Sequence, residues 1–324
     1  MNSAEYSVIV VTPVYEDVEA SSRLFAELLT QLKHDVFVVA VDDGSVKHAL
    51  EISNLENAGI DGVILKLRRN VGHQRAIAIG LGYVSEYMQP QQRVIVMDSD
   101  GEDMPSTILN LLDQLSSDDV DVVVAQRKNR VETFRFKAFY VVYKLFFSLM
   151  TGRVISFGNF MALKAPAVKR LVVMQELSIH VAGAVLASKL RVRMCPLHRG
   201  PRYAGQSKMN FVGLVLHGFK GLMVFAEDVL VRVGIACALI ATLSILGAIT
   251  AVGLKLFGIA TPGWFSVALG LLFLMLLQTL ALAIMTLMTL MLTGVVRGGT
   301  AATVVAYHDF VECVIETSSR ARST

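Results

Sequence analysis

Apolar positions up to residue 205 fall into two rhythms. Short β-branched runs at 6–11, 36–41, 63–67, 94–97 and 120–124 predict strands. Between them apolar residues return at helical spacing. Leu24, Phe25, Leu28, Leu29 and Leu32 follow the first run, Ala76, Ile77 and Gly80 the third, and Ile108, Leu111, Leu112 and Leu115 the fourth. Strands alternating with helices predict a parallel α/β sheet covered on both faces. Polar clusters stand where the strand runs stop, and the carboxyl ends of strands are where open parallel sheets bind ligands.

From 126 to 153 the pattern changes. Phe136, Phe139, Tyr140, Tyr143, Phe147 and Met150 keep helical spacing beside Arg127, Lys128, Arg130, Arg135, Lys137, Lys144 and Arg153. That stretch predicts either a helix lying in a membrane interface or a core helix with a solvated basic face. A second apolar helix is expected over 211–225. Residues 233–254 then carry no charge; at about 1.5 Å per residue they reach roughly 33 Å, enough for a hydrocarbon core of about 30 Å. Residues 265–296 are longer still, with Gln278 the one strongly polar side chain, and Gly258, Pro262 and Gly263 break the chain between the two runs. Arg232 and Arg297 flank the pair, so the positive-inside rule puts the α/β domain in the cytoplasm, with Lys255 opposing weakly.

The predicted organisation is a cytoplasmic domain over 1–205, including an interface helix within 126–153, and a second interface helix over 206–228. A transmembrane hairpin over 229–296 and a cytoplasmic tail over 297–324 follow. Within the tail, 303–307 and 310–315 suit short extended segments and 320–324 disorder.

Composition sharpens this division. The chain of 324 residues is 54% hydrophobic with mean hydropathy +0.55, and the surplus lies in 229–296. A net charge of +3 does not mark a nucleic-acid partner. Cys195, Cys237 and Cys313 form no metal pattern and suit reduced thiols facing a cytosol. The polar start of the chain has no apolar segment of a cleaved signal.

The fourth strand run ends in Asp98-Ser99-Asp100-Gly101-Glu102-Asp103. Carboxylates this close repel unless a cation or protons neutralise them. Hard oxygen donors without His or Cys point to Mg²⁺ or Mn²⁺ holding a phosphorylated substrate. The plainer reading is an acidic loop that caps the next helix.

Five stretches occur in order ahead of the hairpin: Thr12-Pro13-Val14-Tyr15-Glu16, Val41-Asp42-Asp43-Gly44-Ser45, Asn70-Val71-Gly72-His73-Gln74, Asp98 to Asp103, and Arg202-Tyr203-Ala204-Gly205-Gln206-Ser207-Lys208. Together they resemble family-2 glycosyltransferases of the GT-A (Rossmann-like) fold. The resemblance is to the polyprenyl-phosphate branch, which includes dolichol-phosphate mannose synthase and bacterial undecaprenyl-phosphate glycosyltransferases with two C-terminal transmembrane helices. It implies an α/β nucleotide-sugar-binding domain whose donor pocket is formed by Pro13, Tyr15, Glu16, Asp42, Asp43 and Asp98. It implies metal ligands at Asp98, Asp100 and Glu102. Arg127, Arg135, Arg202, Ser207 and Lys208 would grip the acceptor phosphate, and Asp100, Arg127, Arg202 and Lys208 form the implied catalytic set.

The implied reaction moves a sugar from a UDP- or GDP-linked donor to a polyisoprenyl phosphate, with metal and with inversion. It takes place at the cytoplasmic face of the inner or plasma membrane, in a multi-pass homo-oligomer with a tetramer among the forms. An acceptor phosphate is already an anion, so electrostatic placement is the main task.

Departures from the family pattern are specific. Where the family commonly has Asp-Ala-Asp-Leu-Gln-Asp-Pro-Pro, this chain has Gly101 for Leu and Glu102 for Gln, the latter adding a negative charge beside the metal position. Asn159 replaces a common Asp in Gly158-Asn159-Phe160 and cannot take a proton, and Tyr203 varies the residue after Arg202. The Gln-x-x-Arg-Trp of processive synthases is absent from the sequence, which excludes polymer synthesis. Two alternatives stay open: a same-fold enzyme with another acceptor, and a non-catalytic nucleotide-sugar-binding membrane subunit.

Overall fold

The computed structural model describes residues 3–127, 134–204, 211–259, 261, 263–299 and 307–318, with 127, 134–142, 211 and 290–299 described by backbone alone. Among these, eight strands run β1 Val8–Val14, β2 Val36–Asp42, β3 Asp61–Leu67, β4 Arg93–Val96, β5 Val122–Arg127, β6 Met161–Lys164, β7 Val192–Leu197 and β8 Val311–Glu316. The helices are α1 Val18–Leu32, α2 Ile52–Ala58, α3 His73–Tyr87, α4 Ile108–Leu115, α5 Phe134–Thr151, α6 Ala165–Val172, α7 Val181–Ala187, α8 Phe211–Val224, α9 Ala226–Leu256, α10 Trp264–Gly299 and α11 Tyr307–Phe310. The chain divides into two compact units, one comprising 1–141, 155–224 and 302–324, the other 142–154 and 225–301.

The first unit holds a single sheet in the order β7-β5-β6-β4-β1-β2-β3-β8. β3, β2, β1 and β4 are mutually parallel, β5 and β7 pair in parallel, and β6 and β8 run antiparallel to their neighbours. The inner strands are buried on both faces, which is why most of them read as continuous apolar runs, while the edge strands β7 and β8 are largely open. Alternate residues nevertheless serve different layers. Ile9 and Val11 pack with α3, α6 and α7 residues such as Ile77, Val168 and Val181. Val8 and Val10 pack with Leu24, Phe25, Leu28 and Ile108 from α1 and α4. Strand order turns between β1 and β4, the point where such sheets bind nucleotides.

Four sequence expectations are corrected here. β1 does not stop at Pro13. Val11 C=O accepts Met97 N–H (3.2 Å) and Val14 C=O accepts Asp43 N–H (2.8 Å), so Pro13 faces the side where β4 has ended and its missing N–H costs no ladder bond. The fifth strand lies further along than 120–124, at Val122–Arg127. Tyr307 opens the short helix α11 instead of closing an extended segment; 303–306 and 320–324 lie outside the described residues. β6 and β7 had no prediction.

β8 pairs antiparallel with β3 from Val63↔Glu316 to Leu67↔Val311. Arg68 N–H donates to Phe310 C=O (2.9 Å) and Gly62 N–H to Thr317 Oγ1 (3.1 Å). Tyr307 meets Tyr83 edge-on at 6.1 Å, and its hydroxyl bonds Glu86.

In the second unit α9 and α10 are both long and apolar enough to cross a membrane, over Ala226–Leu256 and Trp264–Thr289. Their buried positions are small or polar: Cys237, Ser244 and Ala251 on α9, Thr279 and Thr286 on α10. Each set repeats every seven residues, the seam period of a left-handed helix pair, and Leu272 packs against Gly247. Ser244, Thr279 and Thr286 return their hydroxyls to carbonyls four residues back. The other faces are exposed and apolar, including Leu239, Ile249, Leu271 and Phe273.

Candidate active site

The polar clusters that follow the strands converge at the carboxyl edge of the sheet. Behind β1 and β2, carboxylates are held by backbone. Asp42 accepts Ser45 N–H (2.9 Å) on one oxygen and Leu50 N–H (2.9 Å) on the other. Asp43 accepts Val71 N–H (2.7 Å) and Gly72 N–H (3.0 Å), tying the loop after β2 to the start of α3. The approach is close enough to require glycine at 44, where φ is +70° and a Cβ would fall 2.5 Å from the Arg69 carbonyl carbon.

Glu16 accepts the N–H groups of Val46 (2.7 Å), Lys47 (3.0 Å) and His48 (2.7 Å), while its own N–H donates to Ser45 Oγ. Hydrogen bonds from the Val46 and Lys47 backbone hold its pKa down to about 2, against a small opposing desolvation. Burial pushes Asp43 the other way, upward, against the N–H groups of Val71 and Gly72. Asp42 and Asp43 are only 2% and 3% exposed. Pro13 is buried in β1, and Tyr15 presents an exposed ring at its end.

Behind β4 the partners are side-chain cations. His73 Nε2 lies 3.1 Å from Asp98 Oδ1. Burial works against charge on that imidazole, yet Asp98, backed by Asp103 and Asp100, outweighs it and raises the pKa. Arg202 Nη2 lies 2.8 Å from Asp100 Oδ2 and Arg202 Nε 3.3 Å from Glu102 Oε1. Arg199 pairs with the other Glu102 oxygen. Asp103 Oδ2 accepts Asp98 N–H (3.1 Å) and Asp100 Oδ1 accepts Glu102 N–H (3.0 Å), folding the loop on itself.

The two arginines are delivered by the segment after β7, which lies along the carboxylate loop. Gly200 N–H donates to Glu102 C=O (3.0 Å) and Tyr203 N–H to Asp100 C=O (2.9 Å). The Tyr203 ring lies against Gly101, where φ is +86° and a Cβ would come within 2.6 Å of the ring. Two departures from the family pattern, Gly101 and Tyr203, are thus one feature. Tyr203 is anchored in turn, its hydroxyl donating to Glu27 Oε2 (2.5 Å) and Arg23 stacking over its ring at 4.5 Å.

Asn159 also reaches this edge. Its Oδ1 accepts Gln74 Nε2–H (3.2 Å), its amide lies 2.9 Å from His73 Nε2, and Gln74 Oε1 accepts Val181 N–H (2.7 Å). Asn159 therefore ties the segment before β6 to α3 beside the carboxylates, and Gln74 ties α3 to α7. A deeper imidazole pair, His180 and His217, lies 4.5 Å apart between ring centres, and burial pushes the pKa of each downward. Burial, then the neighbouring imidazole, pushes His180 down to about 3.

The structure therefore gathers Asp98, Asp100, Glu102 and Arg202 at one point, with Asp42, Asp43, Glu16 and Tyr15 along the same edge. Arg127 ends β5 opposite Leu197 and Arg135 lies in the first turn of α5; both are described by backbone alone. Ser207 and Lys208 lie outside the described residues. Sequence reasoning missed Arg199 and Glu27, and it placed His73 and Gln74 in a motif without giving either a role. Of the two missed residues, Arg199 left a signal, since the extra charge of Glu102 calls for a cation.

Asp98, Asp100, Glu102 and Asp103 are hard oxygen donors, a set whose chemistry fits Mg²⁺ or Mn²⁺. Among the described residues no three acidic, His or Cys side chains are gathered as a formed metal site, because the loop's carboxylates turn to the chain's own cations and N–H groups. A larger cavity of about 530 Å³, lined by Ser7, Lys33, Asp35 and Arg93, lies at the opposite, amino end of the strands and has no part in this chemistry.

Comparisons with known proteins agree with the architecture. Residues 9–159 match the family described as Glycosyl transferase family 2. The uncharacterized glycosyltransferase YkcC of Bacillus subtilis is 26% identical over 273 residues, covering 81% of each chain. A prophage bactoprenol glucosyl transferase homolog of Escherichia coli is 24% identical over 291 residues, covering 86% of this chain and 92% of its own. Among solved structures, glucosyl-3-phosphoglycerate synthase from Mycobacterium tuberculosis, crystallised with Mn²⁺, UDP and glucosyl-3-phosphoglycerate, superposes with TM-score 0.50 at 11% identity. The match covers 69% of this chain and 80% of that one. The fold is GT-A, and the family match falls on β1 through the segment before β6.

Proposed function

We propose, with residues 9–159 a family-2 glycosyltransferase domain, that the chain transfers a sugar from a nucleoside-diphosphate sugar to a polyisoprenyl phosphate at the cytoplasmic membrane face. The observation that carries this is the union, in one chain, of that domain with two apolar helices of membrane-spanning length. The Escherichia coli relative named for bactoprenol matches across both parts, and bactoprenol is a polyprenol.

Exposed apolar stripes favour contact with lipid. α8 exposes Val212, Leu216, Phe219 and Met223, and the end of α5 exposes Leu145, Phe146 and Leu149. These spacings put each set on one helix face, suited to an interface helix. Arg232 and Arg297 at the hairpin's ends favour a cytoplasmic catalytic domain and tail.

In this reading Tyr15, Asp42 and Asp43 border the donor's base and ribose, with the buried pair shaping the pocket wall. Asp98, Asp100 and Glu102 would hold Mg²⁺ or Mn²⁺, which supplies charge neutralisation to the leaving diphosphate when bound. Arg202 faces that point and, with Arg127, Arg135, Ser207 and Lys208, forms the acceptor-phosphate set. The incoming phosphate oxygen is the nucleophile, so Asn159 need not act as a base. It holds His73 and Gln74 in place, and attack from the face opposite the diphosphate inverts the anomeric carbon.

The test is transfer of label from a panel of radiolabelled nucleotide sugars, UDP- and GDP-linked among them, into organic-extractable lipid by membranes containing the protein. Label in an acid-labile lipid, dependent on Mg²⁺ or Mn²⁺ and abolished by EDTA, is the expected result. Transfer to a sugar, glycolipid or protein acceptor with no such lipid would overturn the acceptor assignment.

A further inference from the structure

Arg199 has no role in the reaction so far, although it sits on the residue that most distinguishes this loop. Four acidic side chains fall within the six residues 98–103, one more than a loop with glutamine at 102 would carry. The side chains of Asp100 and Glu102 are only 14% and 16% exposed, so their charges need partners. Arg202 reaches both, while Arg199 takes the second Glu102 oxygen. The side chain of Arg199 is 37% exposed, more open than that of Arg202 at 27%. Its backbone is fixed beside the loop by the Gly200 N–H to Glu102 C=O bond, so the guanidinium can swing without the segment moving.

We infer that Arg199 is a displaceable counterion of Glu102, neutralising it in the metal-free protein and turning to the phosphate oxygens of the donor's diphosphate once a divalent cation takes the carboxylates. This rests on the proposed nucleotide-sugar reading and adds to it a second phosphate-binding arginine. Two guanidinium groups and a divalent ion crowded on one loop repel one another, and a bound diphosphate offers the outgoing cation new acceptors in bidentate geometry. Glu102 and Arg199 thus act as a pair, and the Glu in place of the family's Gln is matched by a cation three residues before Arg202.

The experiment reads Mn²⁺ binding to the purified full chain in detergent by electron paramagnetic resonance, with neither donor nor lipid present. Arg199→Gln removes a competing charge and tightens Mn²⁺ binding about tenfold, whereas Arg199→Lys stays near the wild type. In a Glu102→Gln background Arg199→Gln has no effect on Mn²⁺ binding. In EDTA, Arg199→Gln lowers the melting temperature because Glu102 loses its partner, and the loss disappears in the Glu102→Gln background. Weakened or unchanged Mn²⁺ binding in Arg199→Gln, or the same change with and without Glu102, would overturn the inference. Since neither substrate is present, a chain that shows this coupling yet labels no lipid fails only the acceptor reading, and one that labels lipid without the coupling fails only the role of Arg199.

Discussion

The acids behind β1 and β2 and those behind β4 share one edge of one sheet, yet they are held by different kinds of donor. Asp42, Asp43 and Glu16 are bonded by backbone N–H groups of neighbouring loops. Asp98, Asp100 and Glu102 are faced by His73, Arg202 and Arg199. A backbone N–H cannot leave without unfolding its loop, whereas a guanidinium leaves by rotating about side-chain bonds. In the proposed reading the first set therefore shapes the pocket and the second set is exchangeable. An acidic motif in a sequence does not distinguish the two; the identity of the donor does.

The largest effect expected from this contrast is on Asp100. Asp100→Asn should cut lipid-linked sugar transfer by about a hundredfold or more while the protein still folds and inserts. Retained activity would break the assignment of the β4 loop as the reactive one. Next is Gly101→Leu, which restores the family's common residue. Positive φ and the Tyr203 ring together should cost on the order of 1–3 kcal/mol, seen as a lower denaturation midpoint, and Tyr203→Ala in the same chain should recover part of it. Asp43→Asn offers one acceptor oxygen where two N–H groups are waiting. A loss of about 1–3 kcal/mol with a smaller fall in transfer than Asp100→Asn is expected; the reverse order would erase the distinction between shaping and exchangeable acids.

The smallest effect is one of pH. The Glu16 carboxyl sits near 2 in the folded chain against an ordinary 4.5. Its contribution to stability is full above about 4.5 and is lost as pH falls from there through 2. The gap in melting temperature between wild type and Glu16→Gln should close over that window and stay constant above it.

Much of the sheet was legible because strands buried on both faces write themselves as β-branched runs. β6 was not, since Met161–Lys164 is four residues long and owes its place to pairing with both β4 and β5. The β4 loop could be read from Asp98 and Asp100, and the segment after β7 from Arg202. Their mutual geometry could not, because it depends on the Gly200 and Tyr203 backbone bonds between segments about a hundred residues apart. The Gly101 and Tyr203 departures looked unrelated in sequence; only the ring lying on the glycine joins them.

Among the described residues, the strand that completes the sheet is also the last regular element. β3 is synthesised early, but its outer edge has no partner until Val311–Glu316 has emerged, and α9 and α10 lie between the two in sequence. During biosynthesis the β1–β3 half of the sheet must wait with an open edge while the apolar helices are made, and an open edge is a template for wrong pairing. Closing of β8 onto β3 then reports that synthesis has passed the two apolar helices. A chain cut short within the hairpin keeps β1 to β7 yet leaves that edge bare.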